Sequence, residues 1–515
     1  MIFVAGIVLD LLSVLAWARP ALVAPIAALL VLAIAVAAFR DIRAGVAVVL
    51  LELLWGSHGR LVAVSIGGVS WSLRMGIFVA VCAATAWHLR HSAVRQQLWA
   101  ALRSHPARWP ALVWGGTVVV ALAVGAMRHA PGAVFQDGNA WAFLALTPAF
   151  LLALGCTQRH ASGDGGDRGR WLSCVLLTGA LYLIARTYAL LFLFTHNLGG
   201  FWLALYQWVR DTRLGEITVF PGGFPRIFLP SMVWLFPALL LAAERIAHAS
   251  PRNDKEVSRR GISPHAAVFG GSIAVLLVSL SRSFWVGLAA LGGVAFLVVF
   301  LARLPSVCLS NVLAKHSWRI LFDTHIAWRV MVRGGGAVIG ALLIAMALVK
   351  LPYPAPLTTA GFGATFAARF QQDEAVGNRW QQIAPLTEAI LRHPILGSGF
   401  GAAVTYHSKD PRTLAAFPDG NFTTMAFEWG FLDDLLERGI LGLAAEFWLL
   451  GALILYGLRR THRVPFLPAL SLALLAFVLI HTTSPYLNHP LGLGLVMVMF
   501  AGIATPYGGT KTIAA

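Results

Sequence analysis

Charged residues are scarce in this chain, and their scarcity excludes most kinds of soluble protein. Of 515 residues, 12% are charged and 58% are hydrophobic, whereas soluble domains are about 25% charged and about 45–50% apolar. Acidic residues are scarcer than basic ones, since the chain has 22 Asp and Glu and 39 Lys and Arg, which gives a net charge of +17. No basic tail or aromatic-interleaved basic domain concentrates the positive charge, so we expect no nucleic-acid partner.

Cysteine is also scarce, with four in the whole chain. They lie in apolar segments or in loops that we expect on the cytoplasmic side, and they are Cys82, Cys156, Cys174 and Cys308. None has an obvious partner in an oxidising compartment, so we expect no disulfides.

Apolar runs, by contrast, recur from the first residue to the last. Runs of roughly 17–25 residues can cross about 30 Å of hydrocarbon as helices. The pattern predicts an all-α polytopic membrane protein with about fourteen transmembrane helices in a lipid bilayer. The predicted spans cover residues 2–17, 21–38, 45–56, 72–89, 111–128, 140–155, 171–195, 226–245, 265–280, 284–301, 335–351, 435–457, 466–482 and 491–507. The third of these is short for a span.

Basic residues in the short loops predict an orientation for these spans. With the N-terminus inside, most of the Lys and Arg fall in short cytoplasmic loops, which is the positive-inside pattern, and both termini are cytoplasmic. The opposite face receives two longer segments, of which 352–434 is large enough for a small subdomain. Its residues 378–391 have the spacing of an amphipathic helix, with one face formed by Trp380, Ile383, Ala384, Thr387, Ile390 and Leu391. The chain therefore divides into N-terminal spans (1–225), central spans (226–351), a large outer loop (352–434) and C-terminal spans (435–515).

Four ionisable residues fall inside predicted spans, and they are Asp10, Glu52, Arg186 and Glu446. A charge at membrane depth costs a few kcal/mol or more unless it is paired or faces water. Arg186 lies mid-span and has two readings. It either faces an anion in a polar cavity, or it pairs with a buried carboxylate such as Glu446. For Asp10 and Glu52 we expect structural roles.

Two further arginines lie at the outer ends of spans. Arg226 opens a span that runs inward, and Arg282 lies in the turn between two spans. A guanidinium stays charged at any relevant pH and binds phosphate through two parallel hydrogen bonds. Two or three arginines converging on one outer cavity would therefore suit a pyrophosphate-linked lipid, although each alone could be an interfacial anchor.

The most specific motifs lie at the two ends of the large loop. Residues 378–401 contain NRWQQI followed by ILRHPILGSGFG, and residues 435–442 read LLERGILG. Together with Ser281-Arg282-Ser283, they resemble motifs of the O-antigen ligase and O-antigen (exopolysaccharide) polymerase superfamily. In that superfamily an Arg-x-x-x-Trp-type helix leads into "hPllGvGfg", the next span opens with "L-x-E-x-G-i-l-G", and an "SRg" turn joins two earlier spans. The resemblance covers about residues 220–460.

The resemblance implies a GT-C-like, inverting glycosyltransferase of the bacterial inner membrane that needs neither metal nor cofactor. Such enzymes take a glycan from an undecaprenyl-pyrophosphate carrier at the periplasmic face and pass it to an acceptor hydroxyl. Arg226 lies at the head of a span two before the Ser281-Arg282-Ser283 turn, where the superfamily has its other periplasmic arginine. Arg226 and Arg282 would bind the donor pyrophosphate, whose developing negative charge needs fixed cations. We expect Arg186 and Arg379 to add further substrate contacts.

The chain departs from the ligase pattern at the catalytic base. At the loop position where ligases carry a histidine, this chain has Glu428 beside Trp429. Glu428 either acts as general base on the acceptor hydroxyl or pairs with a loop arginine and holds the loop down. His407 is the alternative base in the loop, and Asp433 and Asp434 are candidates for contacts to acceptor sugar hydroxyls.

Three functions compete for this pattern: polysaccharide polymerase, ligase and lipid-linked oligosaccharide flippase. No repeat or inverted-half symmetry is visible, and a flippase needs no large loop rich in aromatic and acidic residues. The missing loop histidine and the extra spans favour a polymerase, which joins lipid-linked repeats, over a ligase that transfers to lipid A-core or protein. A chain-length regulator and other polysaccharide assembly proteins are then expected partners.

Overall fold

The computed structural model describes most of the chain, as helices joined by short loops. The described residues are 1–67, 69–155, 166–219, 224–248, 263–303, 324–357, 362–371, 374–409, 411–459, 464 and 466–504. The α-helices, numbered in chain order, are α1 Ile2–Ala18, α2 Val23–Arg40, α3 Ile42–Trp55, α4 Leu73–His88, α5 Ser92–Arg103, α6 Arg108–Arg128, α7 Pro131–Gly138, α8 Thr147–Phe150, α9 Gly166–Thr195, α10 Phe201–Asp211, α11 Leu235–Ala247, α12 Pro264–Val278, α13 Arg282–Arg303, α14 Thr324–Val349, α15 Phe362–Gln371, α16 Glu374–Arg392, α17 Pro411–Ala416, α18 Gly430–Arg459, α19 Phe466–His481 and α20 Pro490–Ile503.

Seven helical segments among the described residues are long and apolar enough to cross a membrane. They are Pro20–Arg40, Arg108–Arg128, Pro131–Gly155, Gly169–Thr195, Pro230–Ala247, Val330–Val349 and Gly430–Arg459. The pair α4 and α5, bent by 107°, makes an eighth if it is counted as one span. Five shorter apolar helices accompany them: Ile2–Ala18, Pro264–Val278, Arg282–Leu297, Phe466–His481 and Pro490–Ile503. The structure thus has the helical composition of a multi-pass membrane protein.

The predicted count of fourteen spans is wrong, and helix length is the reason. At 1.5 Å per residue, a helix needs about 20 residues to cross 30 Å of hydrocarbon. The helix at the third predicted span, α3, has 14 residues and carries a buried Glu52. The five shorter apolar helices are apolar enough for a span, but they have fewer residues than a span needs. The division of the chain at residues 225, 351 and 434 stays a prediction.

Small residues allow several of the helices to approach closely. Between α12 and α14, a Cβ added at Gly270 would lie 2.3 Å from the backbone oxygen of Ala337. Such backbone contact is typical of helix packing in membranes, where lipid offers no hydrophobic driving force between helices. The thiols of Cys82 and Cys174 are free, and the other two cysteines, Cys156 and Cys308, lie outside the described residues.

Three antiparallel hairpins complete the described structure. Their strands are β1 Ala63–Ile66 with β2 Val69–Ser72, β3 Glu216–Val219 with β4 Pro225–Phe228, and β5 Val404–His407 with β6 Asn421–Thr424. The second hairpin pairs Arg226 with Thr218. It ends just before the span Pro230–Ala247, so it holds Arg226 at the end of that span.

The amphipathic helix predicted at 378–391 lies within α16, and its expected apolar face is only partly covered, with Ile390 packed against neighbouring apolar residues. Leu386 packs into a small apolar cluster of the large loop whose other members are Ala402, Val404, Phe427 and Leu436. Trp380 and Leu391, expected on the buried face, are 61% and 69% exposed. The position of the β5–β6 hairpin, which helical periodicity does not encode, decides which face is covered.

The two loop motifs that carry the family resemblance form one backbone clasp. The amide of Ser398 donates to the carbonyl of Leu436 at 2.7 Å, and the amide of Ile440 donates to the carbonyl of Pro394 at 2.9 Å. Gly397 and Gly439 both have positive φ, +77° and +61°, a region that L side chains rarely adopt. A Cβ at Gly397 would also lie 2.4 Å from the backbone of Glu437. The glycines are therefore needed to fix the first turns of α18 against the large loop.

Candidate functional site

A cavity of about 660 Å³ lies where the β3–β4 hairpin, the start of α13, α16 and the start of α18 meet. Its lining includes predicted site residues from separate parts of the chain, namely Arg226, Arg282, Arg379, Glu428 and Asp433. Its volume is within the range of about 300–1,000 Å³ that is usual for small-molecule sites. This cavity is the candidate functional site.

Arg226 reaches the cavity from strand β4. Its Nη1 lies 3.3 Å from Oε2 of Glu216, and its Nε donates to the carbonyl of Ser279 at 3.3 Å. The guanidinium also covers the ring of Phe228, 4.6 Å from the ring centroid. Burial lowers the pKa of Arg226, and the nearby Glu216 opposes that effect. The side chain is thus held largely desolvated at the cavity, with one exposed carboxylate as counter-ion.

Arg282 and Arg379 stand close to Arg226, and we call the three residues the arginine cluster. Arg282 begins α13 between Ser281 and Ser283, whose hydroxyl oxygens are 3.0 Å apart. The pKa of Arg379 is lowered first by burial and then by repulsion from Arg282 and Arg226. Three cations that repel one another at a cavity make a strong binding site for an anion.

Glu428 lines the same cavity and forms an ion pair with Arg379. The Trp429 indole donates to the carbonyl of Arg379 at 2.9 Å, and its ring packs edge-on against Trp380 at 5.4 Å. The Glu428 side chain is 49% exposed. Glu428 therefore forms the ion pair with a loop arginine that one of the two sequence interpretations expected. It also lines the cavity, and its role as general base stays a prediction.

The first turns of α18 carry acidic residues on two different faces. Asp433 and Glu437 lie one helical turn apart and both line the cavity. On the other face, Arg438 is completely buried and bonded to Asp434 and Glu446. The helix thus separates a cavity-facing pair of carboxyl groups from a sealed ion network.

Asp434 belongs to the sealed network, so its predicted contact with acceptor hydroxyls is wrong. Its Oδ1 accepts from Arg438, and its Oδ2 lies 2.9 Å from Nε2 of His481. Asp434, Glu446 and His481 are the one group of possible metal ligands found close together among the described residues. The Arg438 guanidinium bonds to both of these carboxylates and already occupies the position of a cation there.

Arg186 also lies away from the cavity, so its predicted contact with substrate is wrong. Its Nε donates to Oδ2 of Asp10 at 2.8 Å, and its Nη1 donates to the carbonyl of Trp55 at 2.6 Å. Tyr182 bonds to the same carboxylate. Helix α1 brings Asp10 to the depth of Arg186, and a buried charge is stable only with such a partner. Asp10, rather than the suggested Glu446, neutralises it.

Glu52 has the expected structural role. Its Oε2 accepts from Nε of Arg74 at 2.8 Å, and Nη2 of Arg74 also donates to the carbonyl of Ser57 at 2.7 Å. His407 is an exposed residue of strand β5, and the cavity lining among the described residues does not include it. Its role as the alternative base therefore has no support from its position.

The cavity also contains residues that sequence reasoning missed. His58 and His489 meet there edge-to-face, with ring centroids 5.7 Å apart. Burial first, and then repulsion from the positive charges of Arg74 and two other arginines, lowers the pKa of His58 to about 4, so its ring is neutral at pH 7. The backbone amide of Leu491 donates to Nδ1 of His489 at 3.3 Å. No motif marks either histidine, and more than 400 residues separate them.

Comparisons with protein-family models and with curated proteins found no match to this chain.

The lining of the cavity suits a ligand with two chemical parts. The arginine cluster can bind a phosphate or pyrophosphate through charge-assisted hydrogen bonds. Asp433, Glu437 and Glu428 can accept hydrogen bonds from hydroxyl groups, and a carboxylate can take a proton from a hydroxyl that attacks a nearby carbon. An anionic leaving group and a hydroxyl nucleophile can therefore meet in one cavity.

Proposed function

We propose that this protein is a membrane-embedded polysaccharide polymerase. It transfers a glycan from an undecaprenyl-pyrophosphate carrier to a hydroxyl group of another lipid-linked repeat unit. The reaction takes place at the periplasmic face of a bacterial inner membrane, with both termini of the chain in the cytoplasm. The supporting observation is the convergence of Arg226, Arg282 and Arg379 with Glu428 and Asp433 on one cavity.

The arginine cluster gives the proposal its donor site. A pyrophosphate leaving group gains negative charge as its bond to the sugar breaks, and fixed guanidinium groups stabilise that charge without a metal. Arg226 and Arg282 come from the segments that resemble the superfamily's arginine motifs, and Arg379 comes from the helix that precedes its glycine-rich motif. Without a ligand, burial and mutual repulsion disfavour the charged state of the clustered arginines. A bound anion would offset that repulsion, so the cluster favours an anionic ligand.

The transfer is a single displacement at the anomeric carbon of the donor sugar. A bond forms from the acceptor oxygen to that carbon, and the bond from the carbon to the phosphate oxygen breaks. The electron pair of the broken bond leaves with the carrier pyrophosphate, and the proton of the acceptor hydroxyl passes to a carboxylate. Glu428 is the predicted base for that proton, and attack from the face opposite the leaving group inverts the configuration.

Deletion and complementation in the source bacterium test this function. Deletion should abolish the polymer and leave single repeat units on the lipid carrier, and the wild-type gene should restore long chains. A ligase would instead leave complete polymer on the carrier. Unchanged polymer in the deletion strain would refute both transferase functions.

Variants of the arginine cluster test the site. Arg226→Ala and Arg282→Ala should each abolish polymer at normal protein levels, because a phosphate contact is lost and the fold is kept. Arg282→Lys should restore little, since lysine lacks the planar fork of two donors. Arg392→Ala is the matched control, because Arg392 is 69% exposed on α16 and pairs with Glu388 at 2.6 Å. Full activity of Arg282→Ala would refute the donor-site assignment.

A further inference from the structure

The side of the cavity formed by α18 has an unusual supply of unused hydrogen-bond acceptors. Asp433 and Glu437 are 5% and 3% exposed. Within the described residues, Oδ1 of Asp433 and Oε2 of Glu437 are buried without a hydrogen-bond partner. Buried polar atoms are nearly always hydrogen-bonded in folded proteins. Two such oxygens beside one cavity indicate that donors come from a bound molecule.

Neighbouring groups fix these carboxyl groups in place. The amide of Asn488 donates to Oδ2 of Asp433 at 2.9 Å. The Asp137 carboxyl lines the same cavity, hydrogen-bonds to Glu437, and accepts from the backbone amide of Gly401 at 2.6 Å. The glycine clasp at the start of α18 holds the backbone on which Asp433 and Glu437 stand. We call Asp137, Asp433 and Glu437 the acidic cluster.

Three arginines near the acidic cluster each form an ion pair with another carboxylate. Arg438, the nearest buried cation on α18, bonds to Asp434 and Glu446 on the other face of the helix. In the arginine cluster, Arg226 pairs with Glu216 and Arg379 pairs with Glu428. None of these ion pairs includes Asp433 or Glu437, so their buried oxygens remain as hydrogen-bond acceptors for a ligand in the cavity.

We propose that the acidic cluster is the acceptor subsite and that it selects an acceptor sugar without an acidic group. This inference rests on the proposed function. Hydroxyl or amino groups of a sugar supply the donors that Asp433 and Glu437 lack, and Gln136, Asn139 and Asn488 line the same cavity with amide groups. A uronic acid or a phosphorylated sugar would bring oxygens that only accept hydrogen bonds, so the buried oxygens of Asp433 and Glu437 would stay unpaired, which is unfavourable. The substrate class is thus a neutral or amino sugar at the position that receives the new linkage.

The chemical structure of the glycan tests the selectivity directly. The single repeat unit that accumulates in the deletion strain, compared with the mature polymer by mass spectrometry and methylation analysis, identifies the sugar that receives the linkage. The inference predicts a neutral or amino sugar there. A uronic acid, or a sugar carrying phosphate or pyruvate, would overturn it even if the protein is a polymerase.

Kinetics of purified variants test the subsite itself. With the repeat unit from the deletion strain as substrate, Asp433→Asn and Glu437→Gln should each raise the acceptor KM by about 10–100-fold, the cost of a buried polar group that loses its hydrogen-bond partner. Their binding of undecaprenyl pyrophosphate alone should stay within about twofold of wild type. Asp419→Asn, on the exposed loop before β6, is the control.

Three other results would contradict the subsite. If the wild-type protein elongates glycan and both variants keep its acceptor KM, the acceptor subsite is refuted. An equal loss of carrier binding would show that the two carboxyl groups only support the fold around the arginine cluster. If the wild-type protein elongates nothing, the proposed function fails, and the acceptor subsite fails with it.

Discussion

Removing the guanidinium of Arg379 should weaken pyrophosphate binding without making the ligand-free protein less stable. In the structure, Arg379 repels Arg226 and Arg282, and its ion pair with Glu428 is partly exposed, with side-chain exposures of 33% and 49%. Such an ion pair contributes roughly 0–1 kcal/mol. The loss of this pair is offset by relief of the repulsion. Arg379→Ala should therefore change the unfolding midpoint by less than about 2 °C.

The effect on binding should be much larger. One charge-assisted hydrogen bond to phosphate is worth about 1.5–3 kcal/mol, which is about 10–100-fold in Kd. Inorganic pyrophosphate at 100 times the wild-type Kd should stabilise the wild-type protein by about 2.7 kcal/mol. If the Kd of Arg379→Ala is 100-fold weaker, the same concentration stabilises the variant by only about 0.4 kcal/mol.

Thermal unfolding of the detergent-solubilised protein, with and without pyrophosphate, measures both quantities. The control is Arg392→Ala on the same helix, whose side chain is exposed and pairs with Glu388. It should keep the full pyrophosphate shift. The reasoning is refuted if Arg379→Ala keeps that shift as well, or if the ligand-free variant is strongly destabilised.

Three further predictions concern groups in and around the site. Arg186→Met should lower the unfolding midpoint, because about 3–5 kcal/mol is lost when a buried carboxylate is left unpaired. The double variant with Asp10→Asn should recover most of that loss. An unchanged midpoint in the single variant would contradict the pairing. Glu428→Gln should lower turnover by roughly 10²–10⁴-fold with carrier binding intact, whereas lost carrier binding would make Glu428 a structural partner of Arg379. His58 has a folded pKa of about 4, below its unfolded value of about 6.5. The unfolded chain thus binds more protons between these values, and stability should fall as pH drops from about 6.5 to about 4. The His58→Asn variant should show a shallower fall in unfolding midpoint over that range.

Local composition was sufficient to predict the helical class and several site positions. Long apolar runs produced the helices Arg108–Arg128 and Val330–Val349 close to their expected limits. Arg226, Arg282 and Glu428 were chosen from motifs, and all three line the cavity. These predictions succeeded because hydropathy and short motifs are local properties of the sequence. A charged residue at the end of a span is also restricted to the few positions that avoid the hydrocarbon.

Contacts between distant segments could not be predicted in the same way. Arg186 pairs with Asp10 across 176 positions of sequence, and nothing near either residue indicates the other. The buried face of α16 depends on a hairpin that follows it, so periodicity alone selected Trp380 wrongly. The span count failed because hydropathy does not report how many consecutive residues form one helix, and several apolar runs form helices too short to cross the bilayer.

Glu437 shows a limit of motif reading. A glutamate in the first turns of a helix, as in LLERGILG, ordinarily satisfies backbone donors there. In the structure, Gly397 and Gly439 lock the backbone on both sides, and the Glu437 carboxyl lines the cavity instead. The glycines were visible in the sequence, but the cavity beside them required the fold.

Elongation of a lipid-linked repeat by the purified protein tests the central claim most directly. Repeat units extracted from the deletion strain are incubated with the wild-type protein and with Arg282→Ala, and the products are separated by size. The account predicts a ladder of lengthened glycans with wild type, released undecaprenyl pyrophosphate in equal molar amount to the linkages formed, and neither product with Arg282→Ala. A ladder of equal yield from Arg282→Ala, or no elongation by the folded wild-type protein, would contradict it.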